Sequence, residues 1–270
     1  MLRLVTANVN GIRATARRGG MAWLASAGAD VITLQEVRAS ADQLQQVVDD
    51  GGFGGWHVAL SEAAAKGRAG VAVLTRQEPL EVREGLGHAE FEGTGRWLEV
   101  DLPTDSGTVT VVSCYVHTGQ AGTPRQEEKE RFLEAMTVRM GGLRALADAG
   151  GHAVITGDLN VAHQQVDICN WKGNRGKAGF LESERAYFDR WFDGGHWVDV
   201  HRATAGEGPG PYTWWTWRGQ AFDRDVGWRI DYQLATAGLA ARAVKAEVGR
   251  APTYALRWSD HAPLVVDYDL

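Results

Sequence analysis

The chain has 270 residues, of which 44% are apolar, and it carries a formal net charge of −6 at pH 7. This apolar content, together with 11 Trp residues, excludes an intrinsically disordered chain. The acidic balance argues against a non-specific nucleic-acid binder, because proteins of that class are normally basic.

Short apolar runs separated by turn residues predict eight strands along the chain. The runs cover residues 2–8, 30–36, 70–76, 96–102, 108–116, 152–158, 228–235 and 263–270. Apolar residues at helical spacing predict helices over residues 19–28, 124–150 and 183–195. Strand–helix–strand order appears in both halves, and no linker-like stretch divides the chain. We therefore expect one layered α/β domain over residues 1–270 with an internally duplicated plan.

Polar side chains stand where the predicted strands end or begin. The set is Asn8, Asn10, Glu36, Tyr115, Asp158, Asn160, Asp260 and His261. Taken singly, most of these are ordinary turn residues. Strand ends that share one edge of a sheet bring such groups together, and ligand crevices form there. Asp231 differs, since it lies inside a predicted apolar strand, where a buried carboxylate needs a partner.

The chemistry of this set is rich in carboxylate and amide oxygens, with one imidazole. Hard oxygen ligands favour Mg²⁺ or Mn²⁺ over zinc, and such ions are common in the hydrolysis of phosphate esters. A serine esterase is disfavoured, because no G-x-S-x-G motif occurs. A P-loop and a Rossmann glycine pattern are also missing from the sequence.

Aromatic and basic residues suggest a binding surface, although each has a simpler explanation. Trp214 beside Trp228 is a candidate flat platform for a sugar or an extruded nucleotide. The alternative is that Trp214, Trp215 and Trp217 all pack in the core. Several Arg residues fall in Gly-rich, loop-like segments, where a guanidinium can grip phosphate at two points. The alternative is a GC-rich genome that substitutes Arg for Lys.

Segments along nearly the whole chain resemble the exonuclease III family of AP endonucleases, within the endonuclease/exonuclease/phosphatase superfamily. In chain order the segments are ANVNGIRA, ITLQEVR, GVAVLTR, GRW, CYV, ITGDLNVAH, VDICNWKGNRGKAGF, ERAYFDRW, YTWWTWR, GWRIDY and SDHAP. The blocks GDLNVAH, GWRIDY and SDHAP are specific in combination. The resemblance implies a four-layered α/β sandwich in which two packed mixed β-sheets are flanked by helices.

The resemblance also implies a metal site that takes Mg²⁺, with Mn²⁺ as a substitute. Glu36 resembles the principal metal ligand of the family, with Asn8 as a further ligand and Asn10 beside it. Asp260 corresponds to a position near a second metal ion. We therefore expect the cation to lie at the ends of the first two predicted strands.

The resemblance assigns catalytic roles to five other residues. Asp158 resembles the residue that orients or deprotonates the attacking water, and Asn160 helps to hold it. His261 resembles the imidazole that meets the scissile phosphate, with Asp231 as its orienting carboxylate. Tyr115 resembles a phosphate contact.

A further group of residues matches positions where the family contacts DNA. The group is Asn10, Arg13, Arg18, Arg38, Arg68, Asn174, Lys177, Trp214, Arg218, Trp228 and Ile230. Trp214, Trp228 and Ile230 match the pocket that receives a base-less sugar. The chain departs from the family pattern at Lys177, where an Asn is frequent. Arg218 occupies the position of a side chain that can wedge into DNA.

The resulting expectation is a Mg²⁺-dependent DNA-repair phosphodiesterase with AP-endonuclease and 3′→5′ exonuclease activities. Its partner is duplex DNA with abasic sites or 3′ ends, and the protein is expected to be monomeric. Two cysteines and the lack of a run of about 18 apolar residues predict a cytoplasmic protein without a membrane contact. The alternatives are an inositol-phosphate or phospholipid phosphodiesterase of the same superfamily and a catalytically idle DNA-binding protein.

Overall fold

The computed structural model describes residues 1–270 and contains twelve strands. In chain order they are β1 (Leu2–Asn8), β2 (Val31–Gln35), β3 (His57–Ser61), β4 (Val71–Thr75), β5 (Glu81–Glu84), β6 (Trp97–Thr104), β7 (Gly107–Tyr115), β8 (His152–Asp158), β9 (Trp197–Asp199), β10 (Asp231–Thr236), β11 (Ala243–Val248) and β12 (Leu264–Tyr268). They form two mixed six-stranded sheets, with orders β11-β12-β1-β2-β4-β3 and β5-β6-β7-β8-β10-β9.

The two sheets follow the same plan, position by position. Each has one parallel pair at its centre, β1–β2 in the first sheet and β7–β8 in the second. Antiparallel strands flank each pair, so β12 and β4 correspond to β6 and β10. The expected internal duplication is thus present, and it makes the carboxyl ends of β1 and β2 equivalent to those of β7 and β8.

Eight helices cover the outer faces and the edges of the sheets. They are α1 (Ile12–Arg17), α2 (Gly20–Ser26), α3 (Ala41–Asp50), α4 (Pro124–Asp148), α5 (Trp171–Asn174), α6 (Glu182–Phe192), α7 (Val200–Ala205) and α8 (Ala237–Ala240). Pro124 opens α4 at a position where its missing N–H costs no hydrogen bond. No helix is both long and apolar enough to cross a bilayer.

Three apolar clusters lie between the four layers of the fold, which are helices, sheet, sheet and helices. This is the four-layered sandwich that the resemblance implies. One cluster packs α1, α2 and α3 on the first sheet, and a second packs α4 and α6 on the other sheet. The third lies between the sheets and includes Leu4, Val100, Val111 and Tyr268.

The sheet-to-sheet interface becomes polar towards one end. Thr33 and Thr156 form a hydroxyl–hydroxyl hydrogen bond of 2.6 Å across it. Gln35 of β2 donates to the Ser113 hydroxyl of β7 at 3.1 Å. Because buried polar groups are stable only with partners, these bonds fix how one sheet lies on the other. The residues that follow Gln35 and Thr156 carry the site described below.

All eight predicted strands and three predicted helices are present, with ends that differ by a few residues. The predicted strand over 228–235 begins only at Asp231, because the Thr213 hydroxyl accepts hydrogen bonds from the N–H groups of Ile230 and Asp231. Asp231 is therefore the first residue of β10 and not an interior one. The four unpredicted strands, β3, β5, β9 and β11, are the four edge strands of the two sheets.

Candidate active site

Four polar side chains meet because they stand at equivalent strand ends in the two sheets. Asn8 closes β1 and Glu36 follows β2, while Tyr115 closes β7 and Asp158 closes β8. In both sheets the two strands are parallel, so their carboxyl ends point to the same edge. Gly157 lets β8 pass close to β7 here, since an added Cβ would lie 2.1 Å from the Cys114 carbonyl oxygen.

A buried group of three residues could hold a cation. One ligand atom from each of Glu36, Asp158 and His261 lies within 4.8 Å of the other two. The two carboxylates suit a hard divalent ion such as Mg²⁺ or Mn²⁺, and His261 lies beside them. The crowded negative charge also favours a cation, because burial and the charges of Asp231 and Glu36 raise the pKa of Asp158 to about 7. The residues present therefore fit a metal ion.

Asn8 lies behind this group as a hydrogen-bond bridge. It is fully buried, and its Nδ2 donates to Glu36 Oε1 at 2.9 Å and to Asp158 Oδ2 at 3.0 Å. Its Oδ1 accepts from the N–H of Asn10 at 3.0 Å. The side chain thus holds both carboxylates in place from the interior side, and its role as a metal ligand stays a prediction.

His261 and Asp231 form the imidazole–carboxylate pair that was expected. The Nδ1 of His261 lies 2.9 Å from Asp231 Oδ2, and its Nε2 lies 3.7 Å from Asp158 Oδ2. Burial acts to lower the pKa of His261, but Asp231, Asp158 and Asp260 outweigh it and raise that pKa to about 10. At neutral pH without a metal, the ring is therefore a charged hydrogen-bond donor that faces the cavity.

Asn160 orients the Asp158 carboxylate from the loop after β8. The Asn160 N–H donates to Asp158 Oδ1 at 2.9 Å, and its Nδ2 donates to Asp158 Oδ2 at 3.2 Å. The same Nδ2 donates to the Val116 carbonyl at 2.9 Å. Asn160 adopts a left-handed backbone with φ of 51°, a conformation that Asn tolerates better than most residues.

Asp260 forms a second carboxylate position beside the first. Asn10 Nδ2 donates to its Oδ1 at 2.8 Å, and Trp214 Nε1 donates to its Oδ2 at 3.2 Å. Burial opposes ionisation, but the charge of His261 and these two hydrogen bonds lower the pKa of Asp260. The carboxylate is therefore held ionised at the rim of the site.

These groups open into a cavity of about 350 Å³. Its residues are Asn10, Glu36, Arg38, Tyr115, Thr118, Asp158, Asn160, Ala178, Gly179, Trp214, Trp228, Ile230, Asp260 and His261. The two indoles meet edge to face, with centroids 6.0 Å apart and planes at 87°. The expectation of a flat indole platform is therefore wrong. Trp214 and Trp228 instead form two walls of a corner, because each is anchored by backbone hydrogen bonds to the other.

Several predicted basic residues lie in an adjoining groove of about 340 Å³. Arg13, Arg38 and Arg68 line this groove together with Lys66, which was not predicted. Arg38 also lines the cavity, where its guanidinium pairs with Glu36. Arg38 therefore links the cavity to a groove that Arg13, Lys66 and Arg68 line together with Glu62.

Four predicted contact residues lie outside both the cavity and this groove. Arg18 and Arg218 are exposed, and the Arg18 guanidinium lies 5.3 Å from the centroid of a Trp217 ring. Asn174 ends α5 and donates to the Asn170 carbonyl at 3.1 Å. Lys177 Nζ donates to Asn174 Oδ1 at 3.3 Å. Their proposed contacts with DNA stay predictions.

Sequence reasoning missed three groups that line the cavity and one that supports it. Thr118, Ala178 and Gly179 line the wall, and the Ser259 hydroxyl donates to the Asn8 carbonyl at 2.7 Å. Gly179 has a φ of 86° and lies against Trp228, so that an added Cβ would be 2.8 Å from the indole. Only a structure shows that proximity.

Two packed, duplicated sheets with buried carboxylates and a charged imidazole at one edge define a phosphodiester hydrolase. The chain belongs to the endonuclease/exonuclease/phosphatase family, whose model matches residues 5–261. It is 33% identical to an exodeoxyribonuclease of Bacillus subtilis over 97% of this chain and 98% of that protein.

Solved structures show the same fold over the full length of both chains. An AP endonuclease from Archaeoglobus fulgidus superposes with a TM-score of 0.85 at 28% identity. A 3′ phosphatase from Neisseria, bound to a product DNA hairpin, superposes with a TM-score of 0.83 at 27% identity. In each comparison the match covers all of this chain and all of the other.

Proposed function

We propose that the protein is a Mg²⁺-dependent DNA-repair phosphodiesterase that cleaves the backbone at abasic sites and degrades duplex DNA from 3′ ends. The observation that carries the proposal is the group of Glu36, Asp158 and His261, whose ligand atoms lie within 4.8 Å of one another. This group opens directly into a cavity with an indole corner and a basic groove beside it.

The residues divide the chemistry of in-line phosphate attack among themselves. Glu36 would be the principal ligand of the metal ion, which when bound would supply Lewis-acid stabilisation of the charge on the phosphate. Asp158 lines the cavity and is oriented by Asn8 and Asn160, so it is placed to orient the attacking water and accept its proton. His261 donates a hydrogen bond to a phosphate oxygen, with Asp231 holding its ring.

The cavity wall supports selection of a damaged nucleotide. Trp214, Trp228 and Ile230 present an apolar corner that suits a sugar without a base better than an intact nucleotide. Extrusion from the duplex also costs less at a site that is already unstacked. The adjoining groove supports binding of the phosphate backbone on either side of the lesion.

The test is a set of cleavage assays with the purified full chain in Mg²⁺, Mn²⁺ or EDTA. The substrates are an abasic duplex, a recessed intact duplex, a duplex with a 3′ phosphate and an inositol phosphate. We expect metal-dependent cleavage of the abasic duplex and of the recessed intact duplex. Preference for the inositol phosphate would favour the lipid-type alternative, and DNA binding without cleavage would favour an idle binding protein.

A further inference from the structure

Helix α4 contains a lysine whose ammonium is completely enclosed. The Lys129 side chain has no exposed surface, and its Nζ lies 2.6 Å from Glu184 Oε1 on α6. The same Nζ donates to the carbonyl of Asn160 at 2.8 Å and to the carbonyl of Thr118 at 3.3 Å. All three acceptors lie on different segments, so one cation joins α6 and two loops.

Both loops belong to the site. Thr118 lines the cavity, three residues after Tyr115 at the end of β7. Asn160 follows Asp158 at the end of β8 and binds both oxygens of that carboxylate. Because Asn160 adopts a left-handed backbone, its amide and side chain face Asp158 only while the loop keeps this conformation. The Lys129 ammonium binds the carbonyl of the same residue.

The Glu184 carboxylate supports this arrangement from the other side. Its Oε1 also accepts from Gln126 Nε2 at 2.9 Å, and its Oε2 accepts from the Leu181 N–H at 3.0 Å. Both oxygens are therefore satisfied, and α6 is fixed to α4. Buried ion pairs are often no more stabilising than well-packed apolar pairs of similar volume. A contribution to the stability of the fold therefore does not by itself explain why a charged pair, and not an apolar pair, occupies this position.

We propose that Lys129 is a positioning residue for catalysis. It holds the loops after β7 and β8 in fixed relative positions, so that Asn160 orients Asp158. The expected effect on the cleavage rate rests on the proposed function, whereas the expected effect on the conformation of the two loops does not. Lys129 touches neither the cavity nor the reacting groups, so it acts through the Asn160 and Thr118 carbonyls.

The variant that separates positioning from stability is the double substitution Lys129→Met/Glu184→Leu, which replaces the ion pair with apolar side chains. The control is Arg139→Met/Glu99→Leu, which removes another ion pair of α4, one with a partly exposed arginine. There Arg139 lies 2.6 Å from a Glu99 carboxylate that is only 1% exposed and contacts no loop of the site. Thermal unfolding of both variants is compared with that of the wild type.

The first readout is single-turnover cleavage of an abasic duplex at saturating protein in Mg²⁺. We expect the Lys129 double variant to cleave about 10- to 100-fold more slowly, the loss typical of a misplaced catalytic group, with DNA affinity within about twofold. The control should cleave at the wild-type rate. Equal rates in all three proteins, or equal losses in both variants, would overturn the proposal.

The second readout is amide hydrogen exchange, which needs no substrate. Segments 116–119 and 159–161 should exchange faster in the Lys129 double variant than in the wild type and the control. Unchanged exchange in both segments would overturn the proposal, whatever the activity. A wild type that leaves abasic DNA uncut would reject the proposed function, while the exchange comparison would still decide the role of Lys129.

Discussion

Glu36 and Asp158 come from equivalent strand ends in two different sheets, and both carboxylates accept a hydrogen bond from one amide, the Nδ2 of Asn8. The two acceptor distances are 2.9 Å and 3.0 Å. The amide brings together two negative charges that would otherwise repel each other. Because the bridge joins the sheets at their shared edge, the geometry of the candidate metal site depends on how the sheets pack.

Substitution of Asn8 with Ala tests this bridge. Without the amide donor, the two carboxylates are no longer held in one orientation, so we expect Mg²⁺ or Mn²⁺ affinity to fall about 10- to 100-fold, as for other groups that orient metal ligands. Calorimetric titration with Mn²⁺ measures the affinity directly. Unchanged affinity in a folded variant would show that the bridge does not organise the site.

Substitution of Asp231 with Asn tests the source of the charge on His261. Loss of the carboxylate removes the main interaction that raises the His261 pKa to about 10, so the pKa of that ring should fall. Proton NMR titration in EDTA measures the pKa of His261 in the variant and in the wild type. A pKa that stays near its wild-type value in the variant would place the source of the shift elsewhere.

The same shift predicts how stability depends on pH. A histidine whose pKa is higher in the folded than in the unfolded chain stabilises the fold fully below its unfolded pKa of about 6.5. That contribution is lost as pH rises from there towards 10. In EDTA, urea unfolding between these pH values should show a decline in the free energy of unfolding that is smaller in Asp231→Asn. An equal decline in both proteins would contradict the prediction.

Substitution of Asp158 with Asn or of His261 with Ala tests the assignment of catalytic roles. Each removes a group that acts on the water or on the phosphate, so we expect turnover to fall by at least about 100-fold. Cleavage of an abasic duplex measures turnover, and far-UV circular dichroism checks the fold. A near-normal rate in either variant would mean that its role is wrongly assigned.

Substitution of Trp228 with Ala tests the indole corner. We expect kcat/KM on abasic DNA to fall about 10-fold, or about 1.4 kcal/mol, because the variant removes one apolar wall of the corner proposed to receive the base-less sugar. Removal of nucleotides from an intact 3′ end should change less. A matched control is Trp56→Ala, because Trp56 packs on Phe53 and lines neither cavity nor groove. Equal effects of the two substitutions would argue against a substrate role for Trp228.

Much of the fold was predictable because central strands are buried on both faces and read as apolar runs. β4, for example, is VAVLT and is buried at every position. The edge strands give a weaker signal, because β3, β5 and β11 are partly exposed and β9 has only three residues. β5 reads EVRE and is largely exposed, so its pairing with β6 decides its conformation. Long-range pairing of this kind has no local signature in the sequence.

The carboxylates and imidazole of the site were predictable for a similar reason. Asn8, Glu36 and Asp158 stand at strand ends, and parallel strands bring those ends to one edge. Lys129 was not predictable, because a lysine in an amphipathic helix is normally exposed and its partners lie in loops far away along the chain. The edge-to-face contact of the two indoles likewise depends on tertiary structure.

The most direct test of the account is the metal dependence of abasic-site cleavage by the wild type and by Glu36→Gln. We expect wild-type cleavage to require Mg²⁺ or Mn²⁺ and to stop in EDTA. We also expect Glu36→Gln to need a much higher metal concentration while it still binds the duplex. Full activity of the wild type in EDTA, or an unaltered metal requirement in Glu36→Gln, would contradict the assignment of this carboxylate cluster as the metal centre.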